Sequence, residues 1–560
     1  MSSVQDDSCV DDAVAAIIAR AEAAELDGKP LLAIEYYEQA LSDDPENTTA
    51  AINLSMLLKY RGQTTAARDR MLQALTADVR LRSSASRLLD GGRLFGLADV
   101  AEDELADASD VLRRVLHSAT YGSQAVSSRL GCRLFTGHDL LVLREDAVLC
   151  ESLRKDAQGC ALLLFALGAA LPREEVARLL GAAAASELLH HGLLLDCDTP
   201  WDLVASPVQI YPLSVFGDDD EREDVTGSAH DEPAASPDLL LATDFDCETL
   251  LPTKWAIMPI GYDSLNLVRL APHLCRASVG TLLDLCCGSG VQGLLALANE
   301  MADRVLAVDI NPRALRFTRF NAMLNGPGFA SRLTTCTADV YSGVPESWRP
   351  FDVIFANPPF VATPRLDSLP HADGASVHAE WALYADGGPD GADVLRAIVH
   401  GAREGGWLRD GGCLAIVTEF PNIRQAPIWL LPEPPATATM SFAVIFNPRH
   451  AQSAAEYAHE RASERGWPWA ASDVWEASLR AHHVDHMSSG LMLAVQGPRE
   501  IAAGEGSNEA QTLRTQWQST ARCVPLDGGP GSGDLALLQT AEAGIRAVCD
   551  ELLQEVRQVL

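Results

Sequence analysis

The chain has 560 residues, with 43 basic and 77 acidic side chains and a net charge of −34. That length predicts three or four domains, and 47% apolar with 21% charged residues is a soluble globular composition, not a disordered one. So much negative charge disfavours nucleic acid and anionic membrane surfaces, since both require a positive footprint on the protein. The start lacks the basic and apolar regions of a secretory leader. The longest apolar run, residues 159–171, is shorter than the ~18 residues of a membrane span and reads as a buried helix. Thirteen cysteines without a CxxC pair support neither a metal site nor a disulfide framework. The expected compartment is the cytoplasm.

Within residues 14–115, Gly28, Ala33, Tyr37 and Ala40 recur 34 residues later as Gly62, Ala67, Met71 and Ala74, and again as Gly96, Ala101, Leu105 and Ala108. Small residues at the alanine positions let paired helices approach, and the larger side chain fills the gap between them. The period and pattern resemble the tetratricopeptide repeat, which implies a stacked array able to hold a protein partner or a second copy of the chain. Residues 116–216 read as helices followed by a hairpin, with strands near 193–197 and 208–215 around a turn at 198–201. Pro212 limits the second strand to a sheet edge. This order suggests a winged-helix-like module. Residues 217–237 form an acidic linker. Strands and helices then alternate over 238–500, the pattern of a parallel sheet. A glycine-rich joint leads into a C-terminal helical extension within 501–560, where Leu538, Ala541, Ile545, Val548, Leu552, Val556 and Val559 fall on one helix face.

The most informative segment is 281–293, Thr-Leu-Leu-Asp-Leu-Cys-Cys-Gly-Ser-Gly-Val-Gln-Gly. An apolar strand ends in Asp284 to Cys287, and a glycine loop then opens a helix near Val291. Gly288 and Gly290 permit a tight turn and close approach of a bound ligand, and Gly293 permits close helix–strand packing. A second strand ends in Asp309, whose carboxylate can accept from both hydroxyls of a ribose. Taken alone, these residues also fit a dinucleotide-binding fold. Two features separate the readings: Asp284 at the strand end, and a later strand that exits into Asn357-Pro358-Pro359-Phe360.

That tetrapeptide resembles the (N/D)PP(Y/F) motif of class I S-adenosylmethionine-dependent methyltransferases that act on amide or exocyclic amino nitrogens. The resemblance covers residues from about 239 to 499. The expected architecture is therefore multidomain, α and α/β. It comprises a Rossmann-like class I methyltransferase with a mostly parallel seven-stranded sheet, preceded by helical repeats and a winged-helix-like module.

A planar nitrogen is a poor nucleophile because its lone pair is delocalised, so its N–H donors need fixed acceptors that hold it in line with the methyl group. Asn357 offers a side-chain carbonyl and Pro358 a backbone carbonyl, on a loop stiffened by the tandem prolines. Phe360 offers a flat face to a planar substrate or to the sulfonium, and Pro359 and Tyr262 complete the expected substrate contacts. Besides Asp284, Cys286, Gly288, Gly290, Asp309 and Asn357, the resemblance implies that Ile310 packs on the adenine and that Asp339 meets its amino group. The cofactor is then S-adenosylmethionine. His371, His378, His482 and His483 lack ligand spacing, and no metal is expected.

Residues 384–399, with Gly387-Gly388-Pro-Asp390-Gly391, closely resemble the release-factor glutamine methyltransferases. The chain departs from that family upstream, where Ile257-Met-Pro-Ile-Gly-Tyr-Asp-Ser264 replaces its Pro-Arg-Pro-Glu-Thr-like motif. The methyl acceptor therefore stays open at this point. A small amine, amide or guanidine is the main reading. A protein or peptide amide and an adenine in nucleic acid are alternatives, the last demoted by the charge. A catalytically silent cofactor-binding scaffold is a further alternative, opposed by the intact motifs.

Overall fold

A computed structural model describes residues 7–26, 29–60, 63–89, 92–96, 99–131, 140, 143, 146–214, 238–245, 253–270, 279–364, 382–422, 440–446, 451–464, 469–497 and 522–525. Four helices open the chain: α1 (Asp7–Leu26), α2 (Pro30–Asp43), α3 (Thr48–Tyr60) and α4 (Thr64–Ala77). Each packs on the next in pairs, α1 on α2 and α3 on α4, and α2 also meets α3. Ala33, Tyr37 and Ala40 of α2 and Ala67, Met71 and Ala74 of α4 are all buried. Gly28 and Gly62 lie outside the described residues.

The third copy of the period does not extend this stack. A 3₁₀ segment, Val79–Leu88, follows α4, and Leu105 and Ala108 lie on helix α5 (Glu102–Ser118). That helix packs instead on a helix of the large sheet domain described below. Its apolar stripe finds more buried surface there than at the open end of four helices. Ala101 is the exposed residue before α5, not a packing position.

The apolar run 159–171 is buried throughout and is helical as far as Ala166. The chain then forms β1 (Leu171–Pro172), α6 (Arg173–Leu180), α7 (Ala182–His190), β2 (Leu195–Asp196) and β3 (Leu203–Ala205), with β1, β3 and β2 in one antiparallel sheet. The hairpin differs from its expected pairing. Residues 195–196 pair with 203–205, whereas β4 (Gln209–Leu213) pairs with β5 (Leu239–Thr243) across the acidic stretch. Gln209 is fully buried and donates to the Ala166 carbonyl at 2.8 Å, which ties β4 to that helix rather than to β3. Pro212 sits opposite Leu240 in this two-stranded sheet, where its missing N–H is tolerated. The described sheet therefore crosses the expected boundary between modules; the linker itself lies outside the described residues.

The large domain begins with α8 (Tyr262–Leu270) and continues through β6 (Val279–Leu285), α9 (Val291–Ala298), β7 (Ala302–Asp309), α10 (Pro312–Leu324), β8 (Leu333–Thr337) and β9 (Phe351–Ala356). After these come α11 (Asp393–Glu404), β10 (Leu408–Pro421), β11 (Met440–Phe446), β12 (Gln452–Ser453), α12 (Ala454–Glu464), α13 (Trp469–Ala481), β13 (His486–Gln496) and β14 (Arg522–Pro525). The strand order is β14-β11-β13-β10-β9-β6-β7-β8, with β12 beside β13. Within it β13 runs antiparallel to both neighbours, and the other pairs on this path are parallel.

Among the described residues the sheet has nine strands where seven were expected. The additions are β12 and β14, the latter within the stretch expected to be a helical extension. Its pairing with β11 satisfies backbone groups that β11 would otherwise leave at a sheet edge. The C-terminal helix stripe lies outside the described residues.

Along the central strands, successive side chains enter two different cores. Leu283, Leu285, Leu306, Val308, Ile354 and Ala356 face one side with α11, and Leu282, Val305, Ala307, Val353 and Phe355 face the other with α9 and α10. Both faces are covered, as a parallel sheet requires.

The N-terminal segment is joined to this domain through α10. Arg313 and Asp244 form an ion pair with side chains only 1% and 4% exposed. Arg313 also donates to the Phe95 carbonyl and, at 3.2 Å, to that of Trp255, while Asp244 accepts from Ile257 N–H at 2.8 Å. Asp244→Ala would strand a buried guanidinium, and we expect it to lower stability by about 3–5 kcal/mol. Urea denaturation of the full chain measures this; a loss below about 1 kcal/mol would contradict the tie.

Candidate functional site

The ends of β6, β7 and β9 set the site. Leu285 is paired with Val308 on one side and Ala356 on the other. The next residues of the three strands, Cys286, Asp309 and Asn357, therefore emerge side by side at one edge of the sheet. A cavity opens there with an empty volume of about 1130 Å³, the solvent at its mouth included.

Cys286, Cys287, Gly288 and Ser289 of the glycine loop line the cavity, whereas Gly290, expected to contact the cofactor, does not and instead shapes the turn. Gly290 has φ of 80°, and a Cβ on it would stand 2.7 Å from Thr318 Cγ2, so only glycine fits. A Cβ on Gly293 would come within 2.8 Å of Val305 Cγ1, so its absence permits the close approach of α9 to the sheet. Cys286 carries φ of 56°, an uncommon value for a side-chain-bearing residue, and lies in the cavity wall. Burial pushes its thiol up, as it does that of Cys287.

Asp284 is fully buried beneath this loop and does not line the cavity. Its Oδ2 accepts from Gly293 N–H at 3.0 Å, and its Oδ1 has no partner. It therefore ties the first turn of α9 to the strand. Asp309 does line the cavity. Its two oxygens accept from Gly288 N–H at 3.0 Å and Asn311 N–H at 2.8 Å, which fixes the carboxylate while leaving further lone pairs for a diol. Ile310 is 52% exposed at the cavity wall, an apolar surface available to a flat ring. Asp339 also lines the wall, from the turn after β8.

Asn357 and Pro359 reach the cavity; Pro358 and Phe360 are absent from its lining. Phe360 packs instead against the cluster containing Tyr457 and Trp475, where apolar neighbours offer more burial than the cavity rim. Asn357 donates through Nδ2 to Ser264 Oγ at 3.1 Å, and its buried Oδ1 has no partner. Tyr262 begins α8, but its side chain lies outside what is described, as do His371 and His378.

Several residues around this loop carry no motif signal. Extended backbone sends the polar groups of successive residues to opposite sides, and residues 361–363 follow that rule. Val361 and Thr363 bond to Ala385, Gly387 and Gly388 on one side. On the other, Ala362 N–H donates to Tyr457 Oη at 3.1 Å, and Trp475 Nε1 donates to the Ala362 carbonyl at 2.7 Å. Tyr457 Oη in turn donates to Glu419 Oε2 at 2.9 Å, and Arg461 holds the other Glu419 oxygen at 2.6 Å. Side chains of α12 and α13 thus replace a neighbouring strand. In the sequence they look like ordinary members of amphipathic helices.

The donor set suits a cationic, ribose-bearing ligand. Carboxylates of Asp309, Asp339 and Asp386 line the cavity, with no lysine or arginine among the lining residues.

Residues 268–371 match the family described as Methyltransferase small domain. The chain carries a methyltransferase domain, and its cofactor is S-adenosylmethionine. It is 34% identical over 143 residues to the ribosomal protein uL3 glutamine methyltransferase of Burkholderia pseudomallei, covering 25% of this chain and 44% of that one. It is 39% identical over 132 residues to the release factor glutamine methyltransferase of Moorella thermoacetica, covering 23% and 43%. A third relative, the release factor glutamine methyltransferase of Mycolicibacterium smegmatis, is 33% identical over 156 residues, covering 28% and 50%. The chain thus spans half or less of the length of these curated relatives. Among solved structures, the ribosomal protein L11 methylase of Lactobacillus delbrueckii subsp. bulgaricus aligns over 30% of this chain and 69% of that one. Its 20% identity and TM-score of 0.21 are too low to support an inference about chemistry.

Burial, reinforced by the charge of Asp309, raises the carboxyl of Asp284 from 3.8 to about 7, against the lowering effect of Gly293 N–H. In the unfolded chain the group loses its proton near 3.8, whereas the folded chain keeps it until about 7. The folded state binds more protons between those values, so this contribution to stability is lost as pH rises through that window. Asp284→Asn removes the titration and should flatten the stability profile between about pH 4 and 7, where the slope from one such group approaches ~1.4 kcal/mol per pH unit. Denaturation midpoints across that range measure it; an unchanged slope would place the titration elsewhere.

Proposed function

We propose that the chain is an S-adenosylmethionine-dependent N-methyltransferase whose acceptor is the side-chain amide of a glutamine in a protein. The observation that carries this reading is Asn357 Oδ1, a buried carbonyl oxygen without a partner, on a residue that lines the cavity. Such an oxygen calls for an N–H donor, which a planar amide nitrogen supplies and a hydroxylate or thiolate nucleophile does not. The relatives' names favour a protein glutamine over the small molecule that the upstream departure suggested.

The cofactor, when bound, supplies an electrophilic methyl on a sulfonium. Asp309 would hold the ribose diol, Ile310 would cover the base, and Asp339 would meet its amino group. Asn357 Oδ1 would take one N–H of the acceptor amide and orient the nitrogen toward the methyl. The Tyr457 and Trp475 bonds to Ala362 keep the loop in place while this happens, so positioning rather than a strong base supplies most of the rate. A new C–N bond forms as the C–S bond breaks, and the acceptor's other N–H proton leaves to water. Pro358 could contribute its backbone carbonyl, while Phe360 serves by packing the loop.

We also assign the outer modules within this reading. Helices α1–α4 form a tetratricopeptide-like array for a protein partner, and the segment from the 157–166 helix through β3 has the helix, strand, helix, helix and hairpin order of a winged-helix-like module.

Incubation of the full chain with methyl-labelled cofactor and host extract tests the proposal. Label is expected in protein and, after digestion, on the side-chain amide nitrogen of glutamine. Asn357→Ala should retain cofactor affinity and lose turnover on the order of 100-fold. Label confined to small molecules or to nucleic acid would overturn the choice of acceptor.

A further inference from the structure

The carboxylates of Asp309, Asp339 and Asp386 line the cavity, but they do not share one flank of it. Asp309 ends β7 and Asp339 follows β8, on one side of β6 in the sheet, whereas Asp386 lies beside the chain leaving β9, on the other. Val361 N–H donates to the Ala385 carbonyl at 2.9 Å, and Gly387 N–H donates to the Val361 carbonyl at 3.0 Å. These bonds seat Asp386 next to the exit of the Asn-Pro-Pro-Phe loop, on the flank that carries Asn357 and Pro359. Residues 384–386 alternate as extended chain does: Ala385 enters the apolar cluster around Tyr457, while Tyr384 and Asp386 line the cavity.

The Asp386 side chain is held in place. Its Oδ1 accepts from the Thr363 hydroxyl and, at 3.1 Å, from Gly388 N–H, and Thr363 is itself buried. Among the described residues its Oδ2 has no partner, and the cavity lining offers it no arginine or lysine. A carboxylate only accepts, whichever way it turns. S-adenosylmethionine brings one net positive charge to three carboxylates, so the filled cofactor site still favours an acceptor that carries positive charge. The net charge of −34 acts in the same direction at longer range, drawing a basic partner and repelling an acidic one.

We infer that Asp386 selects acceptors in which a lysine or arginine flanks the target glutamine, so that the methylated protein presents a basic segment to the cavity. This rests on the reading that Asn357 receives a glutamine of a protein. The cation meets Asp386 Oδ2 while the amide meets Asn357, and the exposed ring of Tyr384 covers the stem or guanidinium of the same basic side chain. Asp386 belongs neither to the glycine loop nor to the Asn-Pro-Pro-Phe motif, and it sets which glutamine is chosen without touching the cofactor.

The full chain is incubated with methyl-labelled cofactor and host extract, and labelled peptides are released by a protease that does not cut at lysine or arginine. A basic residue is expected within about three residues of each methylated glutamine, a reach of roughly 10 Å of extended chain. Peptides copied from the labelled site then carry that basic residue, alanine or glutamate in its place. For the native protein kcat/KM should fall about tenfold from the basic peptide to the alanine one, the scale of one charge-assisted hydrogen bond. Asp386→Asn should treat these two peptides nearly alike, and Asp386→Lys should prefer the glutamate peptide, a reversal that a merely structural role would not produce. Calorimetric affinity for S-adenosylhomocysteine should stay within about twofold in both variants. A tenfold fall there would assign Asp386 to the cofactor and overturn the inference. So would methylated glutamines without a basic neighbour, or a native-like preference in Asp386→Asn. Should a variant fail to fold, ionic strength applied to the native protein decides: the preference for the basic peptide should shrink as salt rises, and a constant preference would overturn the pairing. Absence of label from protein would remove the glutamine reading and this inference with it, a result distinct from the others.

Discussion

The register of three parallel strands is the constraint on which the site depends. Leu285 lies opposite both Val308 and Ala356, and neighbouring strands stand about 4.8 Å apart. Cys286, Asp309 and Asn357 therefore emerge within roughly 10 Å of one another, although they are far apart in sequence. A slip of one residue in either pairing would turn Asp309 or Asn357 to the opposite face of the sheet. The two apolar faces of β6, β7 and β9 forbid that slip, because each strand would then exchange its two buried sides. The packing that stabilises the sheet is thus the same packing that assembles the chemistry.

Around that edge, separate pieces of chain are held by polar groups with little exposure to solvent. Arg313 and Asp244 fix the segment leading to Ile257, which lines the cavity. They also reach back to the N-terminal region through the Phe95 carbonyl. Tyr457, Trp475 and Glu419 fix the chain leaving the Asn357-Pro358-Pro359-Phe360 loop. Breaking such buried interactions costs more than surface ones, because an unpaired polar group remains away from water. The helical modules and the sheet domain are consequently coupled where the cofactor site begins, not through a surface contact alone.

Much of the site was legible in the sequence because its signals are local. Glycines at required positions, a carboxylate at a strand end and Asn357 followed by two prolines each sit in a short window with a specific physical task. The burial of Ala33, Tyr37 and Ala40 followed from periodicity in the same way. What escaped reading depends on partners distant in sequence. Nothing near Gln209 signals that β4 pairs across the acidic stretch with β5, since strand pairing is a property of two segments. The third repeat kept its period, yet α5 packs on α10 because a larger apolar surface is available there. Phe360 looked like a substrate contact from its motif, but the tryptophan and tyrosine that claim it lie about a hundred residues downstream.

The claim on which everything else stands is that the edge formed by Cys286, Asp309 and Asn357 binds S-adenosylmethionine. Calorimetric titration of that cofactor into the native chain and into Asp309→Ala tests it most directly. The account predicts saturable binding at one site, weakened about 10- to 100-fold by the substitution, the scale expected when hydrogen bonds to a charged group are lost. No binding to the native chain, or equal affinity in the two proteins, would contradict it.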